Sequence, residues 1–329
     1  MTDLEIANPN EAPDSHILVE ESLGPSESKS HEVQGAGLGE HCVVDRPTPA
    51  GQGRLGKIRK LGGVDVYISK PTDDSSTITK FLLFLTGATG LHSVNNQIQA
   101  DRFAQEGFLV VLPDMFSDDP LPGSATYEEE KDPSVIDKMR LRLAETAKSF
   151  LIDMWLARQT PQKVIPILMK VIEAAKDEFA NEISYGGGIY SVGYCFGGRM
   201  TLLLAGEKPD RFPTIPWVQQ PQDEESSPVD VGPYIKAGAI FHATLVSKED
   251  FRSIKSPLCF ICVENDQLYP EEIKQYGEQS LKYDKIDCEF KTYKDVPHGF
   301  GVVGEYESAK IKAAQSDAFN HVLSWLQRH

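Results

Sequence analysis

Gly193-Tyr-Cys-Phe-Gly-Gly198 is the stretch that decides the fold of this sequence. It follows the apolar run Ile189-Tyr-Ser-Val192 and precedes Met200-Thr-Leu-Leu-Leu-Ala205. A buried strand, a tight turn with glycines around one reactive residue, and then a helix form the layout of a nucleophile elbow. Cys195 is therefore expected at a helix N-terminus, where the dipole favours a thiolate and the N–H of Phe196 stabilises an oxyanion. The alternative is a buried structural thiol, which is the role of most free cysteines.

The composition disfavours several classes of partner. The 329 residues carry a formal net charge of −16, and no cluster of Lys or Arg interrupts it, which argues against nucleic acid and anionic membranes. No stretch approaches the roughly 20 apolar residues of a membrane span, and the first 30 residues lack the pattern of a secretory signal. The five cysteines are an odd number, which fits reduced thiols. We expect a cytoplasmic protein that acts on a small molecule.

The chain is expected to form one domain behind a tail. Residues 1–40 are rich in Glu, Ser, Pro and Gly and predict a disordered acidic tail, whereas 41–329 predict the domain. Here short apolar runs alternate with helical periodicity, which indicates a mostly parallel sheet flanked by helices on both faces. The predicted helices cover 94–106, start again at Thr160-Pro161, and end the chain from Ile311 to Leu326. The predicted strands are 64–68, 81–85, 108–112, 189–192, 236–241, 258–263 and 288–293.

Two proline-containing acidic stretches, 117–133 and 213–233, predict surface loops. In an α/β fold such loops usually lie over the carboxyl edge of the sheet, where ligands bind. We interpret both as lid elements.

A cysteine nucleophile needs a base, and in this architecture the base is a histidine just before the last helix. His298, in Val-Pro-His-Gly-Phe-Gly, lies on a glycine-containing loop between the last predicted strand and the terminal helix. His242 follows a strand and is expected to pack at the sheet edge. His321 and His329, inside and at the end of the terminal helix, are expected to face solvent.

The base in turn needs a carboxylate that orients it, placed after an earlier strand. Glu264-Asn-Asp266 closes the run Leu258-Cys-Phe-Ile-Cys-Val263. Asp266 is farther out on the loop and is free to turn towards His298, while Glu264 is the fallback. The predicted catalytic residues are therefore Cys195, Asp266 and His298.

With these residues in place, the chain resembles the dienelactone hydrolase family, a branch of the α/β-hydrolase fold with a Cys-Asp-His triad. The resemblance covers roughly residues 41–329 and is closest to the longer, fungal-type members. The motifs that carry it are Gly193-Tyr-Cys-Phe-Gly-Gly198, the Asp266 loop, His298-Gly-Phe300, Gly107-Phe-Leu-Val-Val-Leu-Pro-Asp-Met-Phe116, and His41-Cys42 leading to Gly62-Gly-Val-Asp-Val-Tyr67.

The resemblance implies hydrolysis of a lactone or carboxylic ester through a thioester intermediate, with no metal and no organic cofactor. It also implies an oxyanion hole made by two backbone N–H groups, those of Phe196 and Ala88. Ala88 belongs to the early loop Leu85-Thr-Gly-Ala-Thr-Gly90.

One departure from the family pattern affects catalysis. Bacterial-type members carry on that early loop a glutamate that helps to deprotonate the cysteine, and Gly87 stands at its position here. No Asp or Glu occurs between Lys80 and Asp101. The sequence therefore predicts either activation by His298 alone or a changed substrate.

The sequence also allows two other functions, and two of its motifs, at Arg199 and at Cys259–Cys262, have more than one interpretation. The chain could be a ligand-binding protein with a hydrolase fold and little or no turnover, or a thiol redox sensor that uses Cys195. Arg199 is predicted either to bind a substrate carboxylate or to form a surface ion pair. Cys259-Phe-Ile-Cys262 has the spacing of a redox or zinc pair, but residues three apart in a strand point to opposite faces, so core packing is the better interpretation.

Overall fold

A computed structural model describes residues 45–71, 79–121, 152, 154–207 and 232–329. The expected tail, residues 1–40, and most of the two expected lid loops lie outside these ranges. The strands are β1 (Lys57–Leu61), β2 (Val64–Ser69), β3 (Lys80–Leu85), β4 (Phe108–Pro113), β5 (Ile189–Tyr194), β6 (Ala237–Phe241), β7 (Leu258–Val263) and β8 (Cys288–Tyr293). The α-helices are α1 (Val94–Gln105), α2 (Pro161–Glu178), α3 (Ala180–Tyr185), α4 (Phe196–Leu204), α5 (Glu271–Tyr283) and α6 (Ala309–Arg328).

The strands form one sheet in the order β1-β2-β4-β3-β5-β6-β7-β8. β1 pairs with β2 and β2 pairs with β4 in antiparallel fashion, whereas every pairing from β4 to β8 is parallel. This is the α/β-hydrolase fold that the sequence predicts. All seven predicted strands are present, and β1 is an additional edge strand.

The sheet is buried on both faces, which explains why its central strands read as continuous apolar runs. Every residue of β4, β5, β6 and β7 is buried. One core cluster contains Cys262 and the apolar face of α2, and the other contains Cys259 and the apolar face of α6. The two cysteines thus point to opposite faces, which confirms their interpretation as core residues.

The carboxyl edge of the parallel strands carries the residues that matter for function. Cys195 follows β5, His242 follows β6, Asp266 follows β7, and His298 lies on the loop after β8. Parallel strands end at the same edge of a sheet, so residues distant in sequence meet there.

In the part of the chain that the structure describes, every helix is too short or too polar to span a bilayer.

Candidate active site

The turn at Cys195 has the strained geometry expected of a nucleophile elbow. Cys195 adopts φ 51° and ψ −113°, a backbone conformation that residues other than glycine rarely adopt. A Cβ on Gly193 would clash with the carbonyl oxygen of Gly197, and one on Gly197 would clash with that of Leu85. The glycines around Cys195 are therefore required by the close approach of β3, β5 and α4.

Backbone hydrogen bonds hold this turn in place. The N–H of Cys195 donates to the carbonyl of Phe241 at 3.0 Å, and the N–H of Gly197 donates to that of Thr86 at 3.0 Å. Cys195 is only 4% exposed. Because both neighbouring strands hold the turn, the sulfur has a fixed position at the start of α4.

Asp266 and His298 meet although they are 32 positions apart in sequence. His298 Nδ1 lies 2.7 Å from Asp266 Oδ2, and both side chains are buried. The second carboxylate oxygen, Oδ1, accepts a hydrogen bond from the backbone N–H of Leu268 at 3.0 Å, which orients the acid. Glu264, the fallback acid, instead pairs with Lys294 at 3.2 Å.

The electrostatic environment of His298 favours its protonated form. Burial, the largest effect, lowers the pKa of His298, but the hydrogen bond to Asp266 and the interaction with Cys195 outweigh it and raise the pKa to about 9. A carboxylate within hydrogen-bond distance stabilises the imidazolium form of a histidine. The three predicted catalytic side chains therefore form one interacting group.

The early loop after β3 lies against the cysteine. A Cβ added to Gly87 would lie 3.4 Å from Cys195 Cβ, so position 87 faces Cys195 directly. The next residue, Ala88, is fully buried on the same loop. Phe196, the residue after Cys195, is the first residue of α4, where a backbone N–H has no acceptor within the helix. The predicted oxyanion donors thus belong to the two segments that flank Cys195.

A cleft leads to Cys195 from the surface. It contains about 480 Å³ of empty space, including its open mouth, and Cys195 and His242 are among its buried lining residues. Asp45 and Arg46 line its more exposed part. Ser93 donates a hydrogen bond to Asp45 at 2.9 Å, and the Arg46 guanidinium lies 4.3 Å from the centre of the Tyr306 ring. The segment before β1 therefore forms one wall of the cleft.

Sequence reasoning did not place His242 at the site. Its ring centre lies 4.8 Å from that of His298, and the residue is 1% exposed. Burial, and then the charge of His298, hold the pKa of His242 well below its usual value, so the ring is neutral. The available signal was its place in the chain, since it directly follows a central strand, as Cys195 does.

Comparison with known proteins identifies the family. A sequence model described as "Dienelactone hydrolase family" matches residues 64–329, which is most of the chain. The chain belongs to the dienelactone hydrolase family. This confirms the resemblance that the elbow motif and the His298 loop predict, and it makes the protein a hydrolase of the carboxylic-ester or lactone type.

Similar members of the family occur in fungi. The chain is 25% identical over 276 residues to the hydrolase pyvD of Aspergillus violaceofuscus, a match that covers 83% of this chain and 90% of that protein. It is also 25% identical over 279 residues to the hydrolase tropI of Talaromyces stipitatus, with the same two shares covered. Among solved structures, the thermophilic esterase Est2 of Thermogutta terrifontis superposes with a TM-score of 0.53 at 14% identity, over 84% of this chain and 94% of that one.

In this member of the dienelactone hydrolase family, the early-loop position beside Cys195 carries no acid. Position 87, which faces Cys195, is a glycine, and the sequence has no Asp or Glu between Lys80 and Asp101. The φ angle of Gly87 is not in the left-handed region, so a side chain there would meet no backbone strain. The missing acid is therefore a difference in chemistry and does not follow from a backbone constraint.

Arg199 takes the second of its two predicted roles. Its Nε and Nη2 atoms donate to the two carboxylate oxygens of Asp250 at 2.9 and 3.1 Å. Asp250 also accepts a hydrogen bond from the backbone N–H of Ser247 at 2.8 Å, and its side chain is 4% exposed. The ion pair uses two of the five N–H donors of the guanidinium, and the substrate-binding role of Arg199 stays a prediction.

Within the described residues, one group has the composition of a metal site. Ligand atoms of Cys259, Glu289 and His321 all lie within 4.8 Å of one another. However, Glu289 already pairs with both His321 and Arg328. Burial, the largest effect, raises the pKa of Cys259, which disfavours the thiolate that a metal needs. These three residues do not fit a metal-binding role.

Proposed function

We propose that this enzyme cleaves a carboxylic ester or lactone with a Cys195-His298-Asp266 triad and a thioester intermediate. The single observation that carries the proposal is the 2.7 Å contact between His298 Nδ1 and Asp266 Oδ2, in a site where Cys195 also raises the pKa of that imidazole. A thiol, an imidazole and a carboxylate in series are the components of nucleophilic acyl transfer.

In the first half of the reaction, the Cys195 proton resides on His298, and the thiolate attacks the carbonyl carbon. The new C–S bond forms as the carbonyl electron pair moves to oxygen, and the N–H groups of Phe196 and Ala88 stabilise that oxyanion. When the pair returns, the C–O bond to the leaving group breaks. The departing alkoxide takes the proton from His298, and the acyl group remains as a thioester on Cys195.

In the second half, His298 is neutral and removes a proton from water, which attacks the thioester carbonyl. The C–S bond then breaks, the thiolate leaves, and the carboxylic acid is released. Asp266 holds the imidazole in one tautomer and stabilises its positive charge in both halves. With a lactone, the leaving oxygen stays on the same molecule, and the product is a hydroxy acid or its keto form.

The absence of an acid at position 87 makes His298 the sole group that activates the thiol in this proposal. The raised pKa of His298, about 9, supports this, because an imidazole of that basicity holds the cysteine proton at neutral pH.

A cytoplasmic location and the absence of nucleic-acid and membrane partners stay predictions from charge and cysteine content.

Kinetics of cysteine variants test the proposal. Cys195→Ala should abolish turnover of p-nitrophenyl acetate and of a simple enol lactone. Cys288→Ala is the matched control, because Cys288 is partly buried on β8, outside the cleft lining, and this variant should retain full activity. Undiminished hydrolysis by folded Cys195→Ala would overturn the proposed mechanism and favour another nucleophile. Reversible oxidation of Cys195 without any turnover would favour the sensor alternative.

A further inference from the structure

His242 occupies a position that its packing alone does not explain. Within the described part of the chain, neither ring nitrogen of this buried histidine has a hydrogen-bond partner on another residue. A neutral imidazole has one N–H donor and one acceptor nitrogen, and a buried polar atom without a partner destabilises the fold. A buried polar group without a partner in a native structure calls for an explanation, and one explanation is that a bound ligand supplies the partner.

The backbone fixes His242 next to the nucleophile. The residue before it, Phe241, accepts a hydrogen bond from the N–H of Cys195, and Thr244, two residues later, donates to the carbonyl of Cys195 at 3.3 Å. The φ angle of His242 is 34°, in the left-handed region that favours glycine. A strained conformation between two contacts with the catalytic cysteine is typical of a residue positioned for function.

The ring of His242 borders the space that a substrate would fill. It lines the cleft together with Cys195, and its Nε2 atom faces the loop of Gly299–Val303, since a Cβ on Gly301 would lie 3.2 Å from it. His298 packs on another side at a ring-centre distance of 4.8 Å. An acyl group attached to Cys195 and extending into the cleft therefore passes the His242 ring.

We infer that His242 is a substrate-binding residue that selects acyl groups with an oxygen substituent, a hydroxyl or keto group, near the scissile carbonyl. This inference rests on the proposed function, because the oxygen reaches His242 only when the carbonyl is at Cys195. A hydroxyl or keto oxygen can accept a hydrogen bond from the ring N–H, and a hydroxyl can instead donate to the unprotonated nitrogen. An alkyl chain at this position leaves both nitrogens without a partner.

Two esters that differ in one oxygen test the inference: p-nitrophenyl butyrate and p-nitrophenyl 3-hydroxybutyrate. We expect the wild-type enzyme to prefer the hydroxy ester, and His242→Phe to lower that preference in kcat/KM by about fivefold, the effect of one net hydrogen bond. The change should be mainly in KM. His321→Phe is the matched control, because His321, on α6, pairs with Glu289 of β8 and lies outside the cleft lining. The substrate preference of this variant should equal that of the wild type.

Further readouts separate substrate binding from a structural or positioning role. His242→Phe removes two buried polar atoms without partners, so its unfolding temperature should equal or exceed that of the wild type. His242→Gln keeps a donor and an acceptor, should retain part of the preference, and serves in place of His242→Phe if that variant does not fold. A residue that only positions His298 would instead lower kcat equally for both esters and shift the pH profile.

The outcomes distinguish this inference from the proposed function. If the wild type hydrolyses both esters through Cys195 but shows no preference, or if His242→Phe keeps the preference, the inference is wrong and the triad proposal stands. If the wild type hydrolyses neither ester and no acyl group attaches to Cys195, the proposed function fails first.

Discussion

Asp266 Oδ2 lies 2.7 Å from His298 Nδ1, while Glu264, two residues earlier in the chain, faces away and pairs with Lys294. This pairing predicts opposite results for two amide substitutions. Asp266→Asn should lower kcat by about 10²- to 10⁴-fold, because an amide cannot hold the same tautomer or stabilise the imidazolium. Glu264→Gln should leave kcat within about twofold, since its ion pair is exposed. Steady-state kinetics with one activated ester compares the two variants, and equal losses would contradict the assignment of the acid.

The raised pKa of His298 predicts an alkaline limit to activity. Below about 9 the imidazole is protonated and can give its proton to a leaving alkoxide, and above it that proton is lost. We expect kcat/KM for an alkyl ester to fall tenfold per pH unit above about 9. An ester of p-nitrophenol should fall less, because its leaving group needs no proton. Similar alkaline limbs for both esters would contradict the role of His298 as proton donor.

The same shift in the pKa of His298 predicts how stability depends on pH. The folded-state pKa, about 9, lies above the ordinary value of 6.5, so the protonated ring stabilises the folded state. This contribution is fully present below pH 6.5 and is lost as the pH rises through 9. Urea unfolding at pH 6 and pH 10 measures it, with His298→Gln as control. The wild type should lose more stability than the variant between the two pH values, and equal losses would disprove the shift.

Two glycines near Cys195, Gly193 and Gly87, predict different tolerance to alanine. A Cβ on Gly193 would overlap the backbone of Gly197, whereas one on Gly87 would make an ordinary 3.4 Å contact with Cys195. Gly193→Ala should therefore lower the free energy of unfolding by about 2–4 kcal/mol, because the elbow must shift to accept it. Gly87→Ala should stay within about 1 kcal/mol of the wild type. Equal denaturation midpoints would show that the elbow is looser than described.

The ion pair between Arg199 and Asp250 predicts a loss of stability without a loss of substrate binding. Arg199→Leu leaves the buried Asp250 carboxylate without its partner and should lower the free energy of unfolding by about 2–4 kcal/mol. KM for neutral and for carboxylate-bearing esters should stay unchanged at a temperature where the variant is folded. A selective rise in KM for the carboxylate-bearing ester would show that Arg199 binds the substrate carboxylate.

The fold was predictable because its central strands follow simple rules. β3 to β7 are apolar except for Lys80 and Ser191, and the elbow motif indicates which strand precedes Cys195. β1 escaped prediction because it is an edge strand: four of its five residues, Lys57 to Lys60, are exposed and show no alternation of polar and apolar residues. Its only local signal is the Gly62-Gly63 turn, in which both residues have positive φ.

The site was predictable only in part, for a different reason. Cys195, Asp266 and His298 could be chosen because each sits at a defined place in the chain order of the fold. His242 and the partner of Arg199 could not, because the ring contact with His298 and the bond to Asp250 depend on side-chain directions after the strands end. Sequence position places a residue at the sheet edge, and only the three-dimensional structure tells which neighbours it meets there.

The central claim, an acyl-thioester at Cys195, is tested most directly by intact-mass analysis after rapid quenching. The purified enzyme would be mixed for milliseconds to seconds with p-nitrophenyl acetate or an enol lactone, quenched in acid and mapped by peptide digestion. We predict an acyl adduct on the peptide that contains Cys195, which decays at the rate at which product appears. Full product formation without such an adduct at any time, or an adduct on another residue, would contradict the account.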